Sequence, residues 1–345
     1  RSQKRFLTGG VVRRLSAHAH SICESEPLDA LTLADAAIAV AEALPDDTYP
    51  GKAIFELRGT AWKERANAQL MLGLLQPALE SLARAERAYR QLPSPGLGIS
   101  TVALVRASVL YQQQRLEEAA AIAGEAERGF AHVGDNERRM NALFLRGGIC
   151  YEMGNLADAM LLFQQLIDYG EEVNNPLWIA RGSYALGDCH ADRGDLGEAS
   201  MHFHKALILF REVGPAVDRV RTEWSIARVF LYSGKLPEAI RRLRDVESEF
   251  ETRGMVTDAA LVGVDIADGL LALGQYPQIV ELATRLFRVF MDAGMLTGAL
   301  RALAYIKDAA ANESLTKAGI EAVRKFLRRA ERQPELLFVP PETPI

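Results

Sequence analysis

Cysteine, aromatic residues, surplus positive charge and long apolar runs are all scarce in this chain, and each scarcity excludes a class of protein. Its three cysteines, Cys23, Cys150 and Cys189, stand far apart among 345 residues, each inside apolar text. An odd, dispersed set makes no disulfide framework, so a reducing, cytoplasmic setting is expected. No apolar stretch approaches the roughly 20 residues of a membrane helix, and no apolar core follows the basic start Arg1–Gly9 as in a signal peptide. Lys and Arg number 40 against 45 Asp and Glu, a formal charge of −5. Phosphate binding needs clustered cations, so direct nucleic-acid binding by this chain is not expected. The first residue is Arg rather than Met, and a processed product or one piece of a larger protein is expected from it.

Catalytic signatures are missing too. There is no P-loop, no dinucleotide glycine fingerprint and no HExxH. Pro95-Gly96-Leu97-Gly98 reads as a turn between helices, and Glu117/Glu118 and Glu171/Glu172 as solvated helix faces. His18, His20 and Cys23, and Cys189 and His190 with His202 and His204, have zinc-ligand chemistry. Neither is a complete ligand set, and side chains two apart on a helix diverge, so core or surface roles are expected. No enzyme activity, cofactor or metal is expected.

What the chain does have is 49% hydrophobic residues, rich in alanine and leucine, arranged with a period. A turn residue is followed five positions on by a small or apolar one: Gly73/Ala78, Gln114/Ala119, Gly154/Ala159, Gly194/Ala199, Gly234/Ala239 and Gly274/Ile279. From Gln114 to Gly274 these anchors are 40 residues apart, and Gly73 precedes Gln114 by 41. A second series, Gly134, Asn174, Gly214, Gly254 and Gly294, keeps the same 40-residue step. Gly and Asn accept the left-handed conformation that ends helices. Phe130, Phe210, Phe250 and Phe290 stand four residues before four of these stops, and Ala66, Ala107, Gly147, Gly187, Ala227 and Ala267 seven before the anchors. The text between is helical: 176–192 opens on Pro176, and 197–213 carries Ala199, Phe203, Ala206, Leu207 and Phe210 as one stripe. No sustained alternation predicts strands.

The pattern resembles the tetratricopeptide repeat (TPR) over roughly residues 11–312, on Trp62, Ala66, Ala78, Leu82 and Ala85, on Leu143, Gly147, Ala159 and Phe163, and on Gly187, Ala199, Phe203 and Ala206. The common repeat is about 34 residues; the longer period here looks like that of bacterial regulatory and signalling arrays. The resemblance implies an all-α, right-handed superhelical solenoid of about seven helix hairpins, at 11–44 (irregular), 51–92, 97–133, 135–174, 176–213, 216–253 and 256–293. A closing pair, 295–312 and 316–332, caps it, making a single domain to residue 333, and a Pro-rich tail (Pro334, Pro340, Pro341, Pro344) is extended or disordered.

In such arrays the first helix of each pair lines a concave groove, which the resemblance implies holds a protein or peptide. Here the groove positions include Asn141, Phe144, Tyr151, Arg181, Tyr184, Arg221, Trp224 and Arg228. Phe144, Tyr184 and Trp224 form an aromatic row with arginines beside it, a hot-spot composition suited to acidic groups on the partner. The alternative is that the aromatics pack between helices and the arginines pair with Asp188, Asp218 or Glu223. Arg221→Glu with Trp224→Ala is expected to abolish capture while sparing the fold. Lys63-Glu-Arg-Ala-Asn67 is similar to the start of a carboxylate clamp, but Val105 stands where the next repeat needs Asn. The final helix has Lys317, Arg324, Lys325, Arg328, Arg329 and Arg332 against Glu321 and Glu331, and reads as a basic cap, or secondarily as a docking face for an acidic partner or lipid. A protein-binding scaffold is the functional expectation. The rival is the sensor segment of a larger signalling, transcription-control or repeat-plus-protease system whose effector lies outside this chain.

Overall fold

The anchors of the period are helix stops. In the computed structural model, which describes residues 7–292, 297–330 and 336–341, all six anchors adopt positive φ: Gly73, Gly154, Gly194, Gly234 and Gly274 between 68° and 81°, and Gln114 at 61°. The residue after each stop donates its amide five residues back, as Asn155 does to Cys150 (2.9 Å) and Asp195 to His190 (2.9 Å). Those bonds satisfy carbonyls the helix end would leave orphaned, and they reverse the chain in three residues. In the second series Gly134, Asn174 and Gly254 behave alike, with φ of 74°, 51° and 72°. Gly214 differs, with φ −90° and ψ 162°. Pro215 follows it, and a residue before proline is pushed to extended backbone. Gly294, Glu331, Arg332, Pro334, Pro344 and the basic start through Phe6 lie outside the described residues.

The helices are α1 (Gly9–Ile22), α2 (Pro27–Glu42), α3 (Ala53–Met71), α4 (Leu75–Tyr89), α5 (Gly96–Gln112), α6 (Leu116–Val133), α7 (Asn136–Glu152), α8 (Leu156–Glu172), α9 (Pro176–Asp192), α10 (Leu196–Val213), α11 (Ala216–Tyr232), α12 (Leu236–Thr252), α13 (Val256–Ala272), α14 (Tyr276–Asp292), α15 (Thr297–Ala311) and α16 (Lys317–Ala330). No strand occurs among the described residues, and none of the described helices is long and apolar enough to cross a membrane. The fold is the all-α hairpin array expected, with odd-numbered first helices and even-numbered second helices up to α14. The chain forms two compact units, Arg1–Leu166 and Ile167–Ile345, with the boundary inside α8.

Within the first unit, Tyr89, Phe130 and Phe163 are buried. Within the second, Phe203, Phe210, Phe250 and Phe290 are. Phe163 and Phe203 each fill a gap in the facing helix. A Cβ on Gly147 would lie 2.5 Å from Phe163, and one on Gly187 2.6 Å from Phe203. Where the facing position is Ala, as at Ala66, Ala107, Ala227 and Ala267, the residue opposite is Leu82, Ala123, Leu243 or Ala283. Glycine is paired with phenylalanine and alanine with something smaller, which conserves volume across the hairpin.

The end of the second unit departs from a simple cap. α16 packs on α15 and also on α13. Its stripe of Ile320, Val323, Phe326, Leu327 and Ala330 is buried as anticipated, yet Arg324, expected on the charged face, is buried with it. α13 is consequently covered all round from Leu261 to Leu270. Of the tail, residues 336–341 carry no regular secondary structure, and Phe338 is buried against Tyr305 and Phe326, with centroids at 5.6 and 5.3 Å.

Candidate functional site

The eight groove positions fall in both units. In the first, Asn141 is exposed and donates to the Glu137 carbonyl of its own helix at 3.3 Å. Phe144 is half-buried against Phe163, centroids 6.0 Å apart, and Tyr151 is half-buried on α7. Lys63 and Asn67, the clamp-like pair on α3, turn inward instead. Lys63 forms an ion pair with buried Glu64, and Asn67 Nδ2 donates to the same carboxylate at 2.8 Å. His20 of α1 completes the set at 3.2 Å. Burial alone would raise the Glu64 pKa, but His20, Lys63 and Asn67 hold it below its usual value. The clamp residues are thereby occupied in docking α1.

In the second unit α9 and α11 present the remaining positions. Tyr184 lies on Phe203 (5.7 Å, tilted), in the gap that Gly187 opens, and its hydroxyl accepts from Ser225 at 3.4 Å. Trp224 stands edge-on to Phe250 at 6.0 Å, and its indole N–H donates to Asp265 Oδ2 at 2.7 Å. These aromatics are half-buried and close the hairpins; they are not a free row, so Trp224→Ala is no clean test of binding. The physical reason is that large rings three residues from a small-residue gap lie over the partner helix.

The arginines differ in their freedom. Arg228 is held: its Nε lies 3.7 Å from Asp265, and its Nη2 donates to Tyr232 at 2.9 Å. Burial opposes its charge, yet Asp265, Tyr232 and Asp188 raise its pKa. Arg221 is 46% exposed and reaches Asp258 only at 3.6 Å. Burial raises the Asp258 pKa against that arginine's pull. Arg181 stacks over Trp178 at 5.4 Å and forms no ion pair with a described residue. Asp188 and Glu223 are not the ion-pair partners of Arg221 and Arg228; Glu223 takes Arg211 and Arg219 instead.

The network that sequence reading did not foresee joins Asp265, Asp268 and Arg324. Arg324 Nη2 lies 2.9 Å from Asp265 and 3.4 Å from Asp268, and Nη1 pairs with Glu321. Asp265 thus receives Trp224, Arg228 and Arg324 from two helices while only 1% exposed. The available signal was two acids three apart in an otherwise apolar helix, since buried acids require partners. Asp188, half-buried on α9, has a pKa raised to about 7 by burial and by Asp192, against the pull of Arg228 and Arg328.

The histidines form no ligand set. His190 stacks on His202 at 5.3 Å, and His204 bonds the Ser200 carbonyl at 2.7 Å. No group of three or more His, Cys, Asp or Glu side chains able to hold a metal occurs among the described residues.

Residues 178–248 match the tetratricopeptide repeat family. No curated protein matches the chain. Aspartyl phosphate phosphatase F from Bacillus subtilis superposes with a TM-score of 0.64 at 14% identity, over 84% of this chain and 72% of that one. NprR, in complex with its cognate peptide NprX, gives 0.56 at 12% identity, over 94% and 88%. A signal transduction ATPase with a tetratricopeptide repeat sensor, from Pyrococcus horikoshii, gives 0.63 at 12% identity, over 94% of this chain and 48% of that one. At these identities the likeness is one of fold. The family match lies within the hairpin array, at residues 178–248, and the hairpins on either side of it share the tetratricopeptide-type fold of these structures.

Proposed function

We propose that the chain is a non-catalytic binding module whose first-helix faces hold a protein segment or peptide. The observation that carries the reading is Arg181 beside Tyr184 on α9: a guanidinium stacked on an indole, outside the core and without an ion pair among the described residues. A planar fork already ordered by stacking loses little entropy on gripping a carboxylate. Half-exposed Arg221 is the second contact, its tie to Asp258 being long. Arg228 and Trp224 support the face from beneath; the first unit, taken by itself, has Asn141, Phe144 and Tyr151 at the corresponding positions of α7. A fold neighbour solved with a bound peptide supports a peptide as ligand. A cytoplasmic setting goes with this reading.

A second reading has the array as the sensor of a larger signalling protein. The ATPase from Pyrococcus horikoshii favours it, since this chain matches only 48% of that one, a protein with a repeat sensor.

Selection of a random peptide library on the purified protein tests the first reading. Selected peptides are expected to lose at least tenfold in affinity with Arg181→Glu or Arg221→Glu, by fluorescence anisotropy, while melting is unchanged. Failure to select any peptide, or binding indifferent to both substitutions, would overturn it.

A further inference from the structure

We propose that α16 is one wall of the second unit's binding face, with Arg328 as a specificity residue for glutamate- or aspartate-bearing segments and Asp188 as the group that opposes them. The inference rests on the groove reading above and adds the charge class of the ligand and two residues to it.

The position of α16 comes first. A second helix of a hairpin packs between its own first helix and the next; α16 packs instead on the first helices α13 and α15. Arg324 fastens it there through Asp265 and Asp268, and Asp265 is gripped as well by Trp224 and Arg228 of α11. The C-terminal helix is therefore locked by ionic contacts onto the side of the repeats that a ligand would use.

Arg328 follows from that lock. It lies four residues beyond Arg324, so both share one side of the helix. Arg328 is exposed and, unlike Arg324, bonds no carboxylate of a described residue. Its charge is nevertheless felt at Asp188 on α9, as is that of Arg228 on α11. Lys325 is also exposed, tied to Glu321 only at 4.0 Å.

The acids on this face are mostly spent: Asp265 and Asp268 on Arg324, Asp258 on Arg221, and Glu321 on Arg324 and Lys325. Asp188 has no such partner. It faces Tyr184 and Asp192 from its own helix, Arg228 from α11 and Arg328 from α16. Neutral Asp188 leaves Arg328 and Arg181 as the dominant charges and admits an acidic segment; ionised Asp188 repels it. Since burial raises its pKa to about 7, acidic ligands bind more tightly as pH falls from 8 to 6.

The test measures anisotropy of a fluorescein-labelled 12-residue poly-L-glutamate peptide, with poly-L-lysine alongside, on the whole chain at pH 6 and pH 8. Poly-glutamate is expected to bind several-fold more tightly at pH 6, and poly-lysine not to bind. Arg328→Glu should weaken poly-glutamate at least tenfold, while Arg244→Glu, an equal charge change on the exposed part of α12, should not. Asp188→Asn should bind at pH 8 as the parent does at pH 6, with unchanged melting. Equal losses from Arg328→Glu and Arg244→Glu would reduce the effect to net charge and overturn the inference. If library-selected peptides respond to Arg181→Glu but ignore Arg328→Glu, the groove stands and the role of α16 falls. If no peptide of any kind binds, the groove reading itself has failed.

Discussion

At the residue scale the fold depends on matched volumes across each hairpin. Gly187 admits Phe203, and Tyr184 covers that ring three residues upstream, so one missing methyl group on α9 determines where two aromatic side chains lie. Gly187→Ala should therefore destabilise by about 1–3 kcal/mol through overpacking, and Phe203→Leu in the same chain should restore part of the loss, as Leu243 suits Ala227. Additive losses in denaturant melts would contradict the account. Gln114 illustrates the opposite case. It occupies the left-handed position at φ 61° where five other anchors have glycine, so Gln114→Gly should gain about 1 kcal/mol. Both the gap and its ring stand in the sequence at fixed offsets, and the series of small residues was legible for that reason. That Tyr184 would roof the ring was not, because a half-exposed aromatic has the same sequence signature whether it meets a ligand or a neighbouring helix.

At the element scale two helices are attached by charge. α1 docks through His20 on buried Glu64, whose other oxygen faces Lys63. The hydrogen bond and charge of Glu64 raise the His20 pKa above 6.5, so that stabilisation is complete below pH 6.5 and fades as pH rises through the folded value. Glu64 is shifted down, so its contribution is present above its ordinary carboxylate range and is lost as pH falls through its folded value. Thermal stability of the parent relative to His20→Ala should thus be greatest between the two, near pH 5–6, and shrink by pH 8.5; a difference that grew with pH would contradict the pairing. α16 docks through Arg324. Arg324→Met leaves Asp265 and Asp268 buried without that cation, a loss of about 3–5 kcal/mol. Asp265→Ala should melt lower still, because it removes the buried acceptor shared by Trp224, Arg228 and Arg324 at once. Equal melting temperatures would show that the network is dispensable. From sequence, α16 read as an amphipathic basic helix, which is correct for its stripe and wrong for Arg324, since nothing local distinguishes the one arginine that meets two acids 56 and 59 residues away.

At the scale of the whole molecule, repeats bury their apolar faces on sequence neighbours, so disturbance should remain local. Hydrogen exchange of Gly187→Ala is expected to quicken in α9 and α10 and the adjoining α11, leaving α3 and α4 at parental rates; uniform acceleration would mean one cooperative block. The period by itself determined the helices, their stops and the volume pairing, because a 40-residue repeat carries its own turn residues and each hairpin is closed by contacts between nearby positions. Only the tertiary structure decided which charges are spent and which are free. Arg228 and Arg324 converge on Asp265, whereas Arg181 and Arg328 bond no carboxylate of a described residue. For Arg324 the difference comes from α16 folding onto α13, which brings it to two buried acids 56 and 59 residues away in sequence, a proximity that no local pattern records.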